Sequence, residues 1–155
     1  WTVEHSHSGF NAFRHHLLRY RTASRPRLYG EMVPNLVTAR AILDSVREGR
    51  IDVGPLDAYW HLLIAKHNPT LTAGVRVLDS TEVATIPAFV TAANTPASTI
   101  NALRHAFVNA CRHPWFREYA DTLLIEGFAA VDTPDYARTL EWDSAAKAAG
   151  YAYPA

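Results

Sequence analysis

The chain has 155 residues, nearly half of them hydrophobic, and its acidic and basic residues balance to a formal net charge of zero. This composition is typical of a globular protein with one core or two small lobes, and it excludes a strongly basic nucleic-acid-binding protein. No apolar run approaches the roughly 18 residues of a membrane-spanning helix, and no stretch has the pattern of a signal peptide. The single cysteine, Cys111, excludes an intramolecular disulfide and is expected to be buried, since it lies in an apolar run.

Near its start the chain is predicted to pass from a short strand directly into a helix. Residues 2–5 have an extended pattern, and the large hydrophobic residues that follow recur at helical spacing: Phe10, Phe13, Leu17 and Tyr20. Residues 6–9, here called the Ser6 turn, therefore fall at a helix N-terminus, where unpaired backbone N–H groups and the helix dipole favour an anion. Two interpretations stay open: an anion-binding turn, or an ordinary N-cap formed by Ser6 or Ser8.

Two more helix starts follow short extended segments. After a predicted strand at residues 28–33, Thr38 caps a helix that ends at Gly49. After a second at residues 51–56, Asp57 begins a helix. Strands and helices that alternate at such short spacing predict crossover units on a parallel or mixed sheet, whose ligands bind at the carboxyl ends of the strands. The Ser6 turn, Thr38 and Asp57 are thus expected on one rim of an α/β fold.

The second half of the chain changes character. Residues 73–78 and 86–91 are two further predicted strands, and helices dominate afterwards. One helix follows Thr95 and Pro96, and another follows Thr133 and Pro134, because proline is favoured in a first helical turn.

Three ordered motifs, at residues 6–14, 38–57 and 74–92, resemble the phosphate/phosphonate-type substrate-binding proteins of bacterial ABC transporters. The resemblance implies the type 2 periplasmic-binding fold, in which two α/β lobes close on a ligand at a hinge. It also implies that the N-terminal lobe is lacking. Residues 1–80 would be one complete α/β lobe, the second, carrying the ligand-binding helix N-termini, and residues 81–155 would be the hinge return strand and C-terminal helices.

The resemblance further implies which residues hold the solute. In that family a Ser-x-Ser-Gly turn grips the anion, which corresponds here to Ser6, His7, Ser8 and Gly9. Where the family has Gly-Ser-His-Arg at the next helix, this chain keeps a hydroxyl at Thr38 and a guanidinium at Arg40 but has Ala39 in place of histidine.

Asp57 and Tyr59 complete the predicted site. Asp57 matches an acidic position that faces the cleft in the family, where it can accept hydrogen bonds from a protonated ligand oxygen or an amine. Simpler roles remain for each residue: a helix cap for Asp57, a surface position for Arg40 and a packing role for Tyr59.

Together these features predict a non-enzymatic solute-binding component, in its C-terminal portion, of an ABC importer for a small oxyanion such as phosphate, phosphonate or a phosphorylated compound. Its expected partners are the anionic solute and the transporter permease. No nucleic acid and no cofactor are expected. The expected location is periplasmic, or lipid-anchored outside the cytoplasm, with membrane contact only through the transporter.

The alternative is a histidine-dependent metal-binding or hydrolytic domain. Four histidines near the start of the chain could give zinc its nitrogen ligands: His5, His7, His15 and His16. However, His15 and His16 point about 100° apart on a helix, so no metal site is predicted.

Overall fold

A computed structural model describes all of residues 1–155 and shows a helical protein. Its α-helices are α1 (Ala12–Leu17), α2 (Ala39–Arg47), α3 (Ala58–His67), α4 (Ala97–Asn109), α5 (Phe116–Leu123) and α6 (Ala137–Ala148). A π-helical turn, His7–Asn11, leads into α1, and short 3₁₀ turns occupy Leu18–Tyr20, Pro69–Leu71, Ala110–Arg112 and Thr133–Tyr136. None of these helices combines the length and the apolar character that crossing a membrane requires.

The prediction of an α/β lobe with the type 2 binding-protein fold is wrong. The chain is 49% helical and 1% strand, without a sheet, and its isolated β-bridge joins Thr22 to Arg25. A strand is stable where a neighbour pairs its backbone N–H and C=O groups, and the predicted strands have no such neighbour. Residues 28–33, for example, meet the chain end through a single bond, from the Leu28 N–H to the Ala155 carbonyl at 2.8 Å.

The predicted helix starts at Thr38 and Asp57 agree with the structure, because short-range rules set them, whereas Thr95 and Thr133 do not cap the helices that follow them. Thr38 is the N-cap of α2, and the helix stops before Gly49, whose φ of 69° lies in the left-handed region that glycine tolerates. Asp57 is the N-cap of α3, which ends before Asn68 and Pro69.

One compact unit comprises Trp1–Ala84 and Tyr136–Ala155. In it the π-helical turn and α1 pack against α6. The buried side chains of this core are Phe10, Ala12, Leu17, Trp142, Ala146 and Tyr151. Trp142 and Ala146 are four residues apart and so lie on one face of α6. On α2, Ile42 and Leu43 are also buried.

A second compact unit comprises Thr85–Asp135. Its centre is a cluster of four phenylalanine rings, in which Phe128 lies 5.1 to 5.9 Å from Phe89, Phe107 and Phe116. Cys111 is exposed, so the predicted burial of this thiol is wrong: it lies in a short 3₁₀ turn after α4. The predicted lobe boundary at residue 80 concerns an intact two-lobed protein and stays a prediction.

Candidate functional site

The Ser6 turn begins with an N-cap. Ser6 has an extended backbone, and its Oγ accepts a hydrogen bond from the Gly9 N–H at 3.0 Å. The Ser6 carbonyl accepts from the Asn11 N–H at 3.1 Å, which is the π-helical spacing. The predicted N-cap interpretation is therefore confirmed for Ser6. A capping hydroxyl still has its own O–H donor, and the N–H groups of His7 and Ser8 precede the first intrahelical bond, so the turn retains donors that an anion could use.

Gly9 allows the start of the chain to pack directly on this turn. A Cβ atom at Gly9 would lie 2.0 Å from Thr2 Oγ1 and 2.9 Å from Ser6 Oγ, closer than any side chain can occupy. The Thr2 hydroxyl is buried there without a hydrogen-bond partner. A glycine is thus required at this position by close packing.

Ser8 and His7 differ in their surroundings. Ser8 is exposed, whereas the His7 ring packs on Trp142 of α6, with 5.2 Å between ring centroids and 16° between planes. Burial lowers the pKa of His7 from its ordinary value.

Thr38 and Arg40 lie at the start of α2. Thr38 Oγ1 accepts from the Ala41 N–H at 3.0 Å, and Arg40 Nε donates to Asp44 Oδ2 at 2.7 Å. The Arg40 side chain is 53% exposed, and its guanidinium has further N–H donors beyond the one used by Asp44.

Asp57 and Tyr59 lie at the start of α3. Asp57 is half-buried, and its Oδ1 accepts from the Trp60 N–H at 2.9 Å, so the predicted capping role is confirmed. A carboxylate accepts hydrogen bonds at both of its oxygens, so Asp57 has acceptor capacity beyond this cap. Tyr59 is a partly exposed residue of the first turn.

Two contacts involve the segments that lead into these three helix starts. The Trp1 carbonyl accepts from the Leu36 N–H at 3.0 Å, two residues before Thr38. Gly54, three residues before Asp57, lies against α2, since its Cβ position is 2.7 Å from Ile42 Cγ2. The side chains of Ser6, Thr38 and Asp57 nevertheless each bond to their own helix, and no hydrogen bond joins one of them to another.

Sequence reasoning missed a polar cluster between α1 and residue 79. Asp79 Oδ2 accepts from the Tyr20 hydroxyl at 2.6 Å and lies 3.0 Å from His16 Nε2. Arg19 Nη2 lies 3.1 Å from His16 Nδ1, which assigns His16 the neutral tautomer that donates from Nε2. The Tyr20 hydrogen bond, with smaller help from the Ser80 N–H and His16, lowers the pKa of Asp79 to about 2. The only feature of the sequence that could have indicated this cluster is the four-residue spacing of His16 and Tyr20, which places them on one helix face.

A buried arginine was also missed. Arg14 is 2% exposed and donates to Asn11 Oδ1 at 2.9 Å, to the Ala152 carbonyl at 2.7 Å and to Asp143. Its guanidinium also lies 4.7 Å from the Phe10 ring centroid. Arg14 holds α1, α6 and the chain end together beside the Ser6 turn.

The histidines do not gather as metal ligands. Nowhere in residues 1–155 do three or more His, Cys, Asp or Glu side chains lie close enough to hold a metal ion. His7 and His15 instead stack on Trp142, each with 5.2 Å between ring centroids. No geometric observation therefore supports the zinc alternative.

Comparison with known proteins identifies the family. A family model described as "ABC transporter, phosphonate, periplasmic substrate-binding protein" matches residues 2–136, which include every residue of the predicted site. A search of curated proteins found no match. Proteins of this family are not enzymes; they bind a small solute outside the cytoplasm and work with a transporter permease. The resemblance predicted from the three motifs is confirmed, and the chain belongs to the family of periplasmic substrate-binding proteins of ABC transporters for phosphonate.

Proposed function

We propose that this chain binds a small oxyanion (a phosphonate, inorganic phosphate or a phosphorylated compound) through the Ser6 turn, with Thr38, Arg40, Asp57 and Tyr59 as further contacts. The observation that carries the proposal is the family match over residues 2–136, because it includes a Ser-x-Ser-Gly turn at a helix start. The ligand is then delivered to the permease of an ABC importer from the periplasmic side.

The chemistry of the turn supports an anionic ligand. The Ser6 hydroxyl, the Ser8 hydroxyl and the backbone N–H groups of His7 and Ser8 are neutral donors, and they lie where the helix dipole favours negative charge. Neutral donors hold an oxyanion without the cost of burying a second charge. Arg40 adds the one positive group among the proposed contacts.

The carboxylate of Asp57 favours a ligand that can donate a hydrogen bond to it. One carboxylate oxygen caps α3, and a carboxylate has further acceptor capacity, so Asp57 can also accept a hydrogen bond from a ligand. A fully ionised oxyanion offers no such donor and would be repelled by Asp57. A phosphonate or phosphate in its monoanionic form, or a ligand with an amine, fits this carboxylate better.

We also propose that the chain is the C-terminal portion of a two-lobed binding protein. Apolar side chains in extended segments are left in solvent: Val83 is 85% exposed and Val90 is 88% exposed. Monomeric proteins rarely leave such segments uncovered. Mass spectrometry of the native polypeptide is expected to show a chain about a hundred residues longer, a length that suits one domain; a native polypeptide that begins at Trp1 would contradict this.

Calorimetric titration with methylphosphonate, inorganic phosphate and zinc chloride tests the binding proposal. We expect saturable binding of one or both oxyanions, weakened about tenfold or more in Ser8→Ala, since a charge-assisted hydrogen bond contributes about 1.5–3 kcal/mol. Ser8 is exposed and is not the cap, so this variant should fold normally.

The matched control is Ser80→Ala, which removes another exposed serine hydroxyl outside the proposed site. The metal-binding alternative would be favoured if zinc chloride were the only compound to give a binding heat and if this heat were lost in His5→Ala and His7→Ala. Equal affinity in the wild type and Ser8→Ala would remove the Ser6 turn from the site.

A further inference from the structure

Two histidine rings and one tryptophan ring form a stack between the Ser6 turn and α6. The His7 and His15 rings lie nearly parallel to the Trp142 ring, at interplanar angles of 16° and 10°, each with 5.2 Å between centroids. Trp142 is 6% exposed, so its ring has little freedom to move. The side chain in the middle of the Ser6 turn therefore rests on a fixed aromatic surface.

The His7 ring is held without any polar contact. Both of its nitrogens, Nδ1 and Nε2, are buried and have no hydrogen-bond partner. A neutral imidazole tolerates such a place at modest cost, whereas an imidazolium would have two unsatisfied N–H donors and an unpaired charge. The lowered pKa of His7 follows from the same burial.

No charged group of the neighbouring elements is hydrogen-bonded to His7. On α6, the Arg138 guanidinium lies 6.0 Å from the Trp142 ring centroid, and Asp143 is paired with Arg14 of α1 and with Lys147. On α1, His15 shares the tryptophan and adds no negative charge. Glu4 precedes the turn and Glu141 lies on α6, but neither accepts a hydrogen bond from His7, so protonation of His7 gains no hydrogen-bonded counter-charge.

We propose that Trp142 is a positioning residue for the solute-binding turn: it holds the Ser6 turn in place through neutral His7, and protonation of His7 releases the turn from α6 and weakens solute binding. This inference rests on the proposed function of the Ser6 turn. Trp142 lies beyond residues 2–136, the span that the family model matches. The stack joins a motif of the family to a helix outside that span.

A test without any solute measures the coupling itself. Histidine ring and backbone amide resonances are followed by NMR as the pH is lowered from about 8 to about 5, a range that spans the ordinary pKa of histidine. We expect one ring, identified by its loss in His7→Phe, to titrate below the ordinary value. The amides of residues 6–9 should shift with the same midpoint. If those amides shift identically in His7→Phe, or stay still while His7 titrates, the coupling is absent.

A second test measures solute binding with methylphosphonate as the probe. The ratio of wild-type affinity to His7→Phe affinity should fall about tenfold as the pH drops through the His7 transition, since phenylalanine can stack but cannot take up a proton. Taking this ratio cancels the titration of the phosphonate itself. Parallel pH curves for the two proteins would overturn the proposal.

Tryptophan variants separate positioning from simple stability. Trp142→Phe retains an aromatic surface and should bind close to the wild-type level, whereas Trp142→Ala should bind about tenfold more weakly. Trp115→Ala, which removes an exposed tryptophan of the other unit, is the matched control. If Trp142→Ala does not fold, Trp142→Leu takes its place, and binding by either variant at the wild-type level would overturn the role assigned to the ring.

The two proposals fail in different ways. Coupled titration of His7 and residues 6–9 without oxyanion binding at any pH would contradict the proposed function alone. Normal oxyanion binding with uncoupled amides would contradict the role of Trp142 alone.

Discussion

Arg14 and Asp143 form an ion pair although 129 positions separate them in the chain. Asp143 also accepts from Lys147 Nζ at 2.6 Å, and the bonds from Lys147 and Arg14 lower the pKa of its carboxyl group. Because Arg14 bonds Ala152 as well, one buried guanidinium connects α1, α6 and the C-terminal tail. The Ser6 turn leads directly into α1, so its position depends on this connection.

Replacement of Arg14 by methionine should destabilise the protein by about 3 kcal/mol, because it leaves Asn11 Oδ1 and the Ala152 carbonyl without their donor and removes the buried partner of Asp143. The free energy of unfolding in urea measures this change. Arg40→Met is the matched control: it breaks an exposed pair with Asp44 on one helix and should cost less than about 0.5 kcal/mol. Equal losses in the two variants would mean that burial of Arg14 contributes nothing.

Gly9→Ala should destabilise the protein by about 2 kcal/mol, since the added methyl group overlaps the Thr2 hydroxyl. Thr2→Ala removes that hydroxyl, so the double variant should recover much of the loss. Thermal unfolding of the four proteins in this cycle gives the coupling between the two positions. Gly30→Ala serves as the control, because nothing lies within 4 Å of its Cβ position; additive effects at residues 2 and 9 would contradict the contact.

Tyr20→Phe should raise the pKa of Asp79 from about 2 toward its ordinary value, since the tyrosine hydrogen bond is the largest cause of the shift. In the wild type the folded-state pKa lies below the unfolded one. The stability from this carboxylate is therefore complete above roughly pH 4 and is lost as the pH falls through the folded value. Carbon-detected NMR titration of the Asp79 carboxyl group measures the shift. Tyr119→Phe, which removes an exposed hydroxyl that does not bond Asp79, should leave the titration unchanged.

Asp57→Ala should cost about 1 kcal/mol of stability by removing the cap of α3, whereas Asp57→Asn should cost only a few tenths because asparagine also caps helices. Unfolding in urea compares the two variants. In binding experiments Asp57→Asn therefore measures the effect of the Asp57 charge on affinity while the helix cap is retained. A large loss of stability in Asp57→Asn would show that the charge, and not the cap, holds this helix start.

The strand predictions were wrong because the sequence does not show which segments lie side by side. A pattern such as Val75 to Leu78 is compatible with a strand, but pairing depends on which other segment lies beside it. In this structure those residues have no partner strand, so they are extended without forming a sheet. The predicted α/β fold depended on that non-local pairing and was wrong, although the family assignment was confirmed.

The amino-acid sequence by itself determined the helix starts at Ser6, Thr38 and Asp57, because a cap involves residues only three positions apart. It also determined the family, through motifs that are local in the chain. Only the tertiary structure decided that Arg14 meets Asp143 and that His7 rests on Trp142. Those contacts join positions more than a hundred residues apart, and their formation depends on how α1 packs on α6 rather than on any short-range preference.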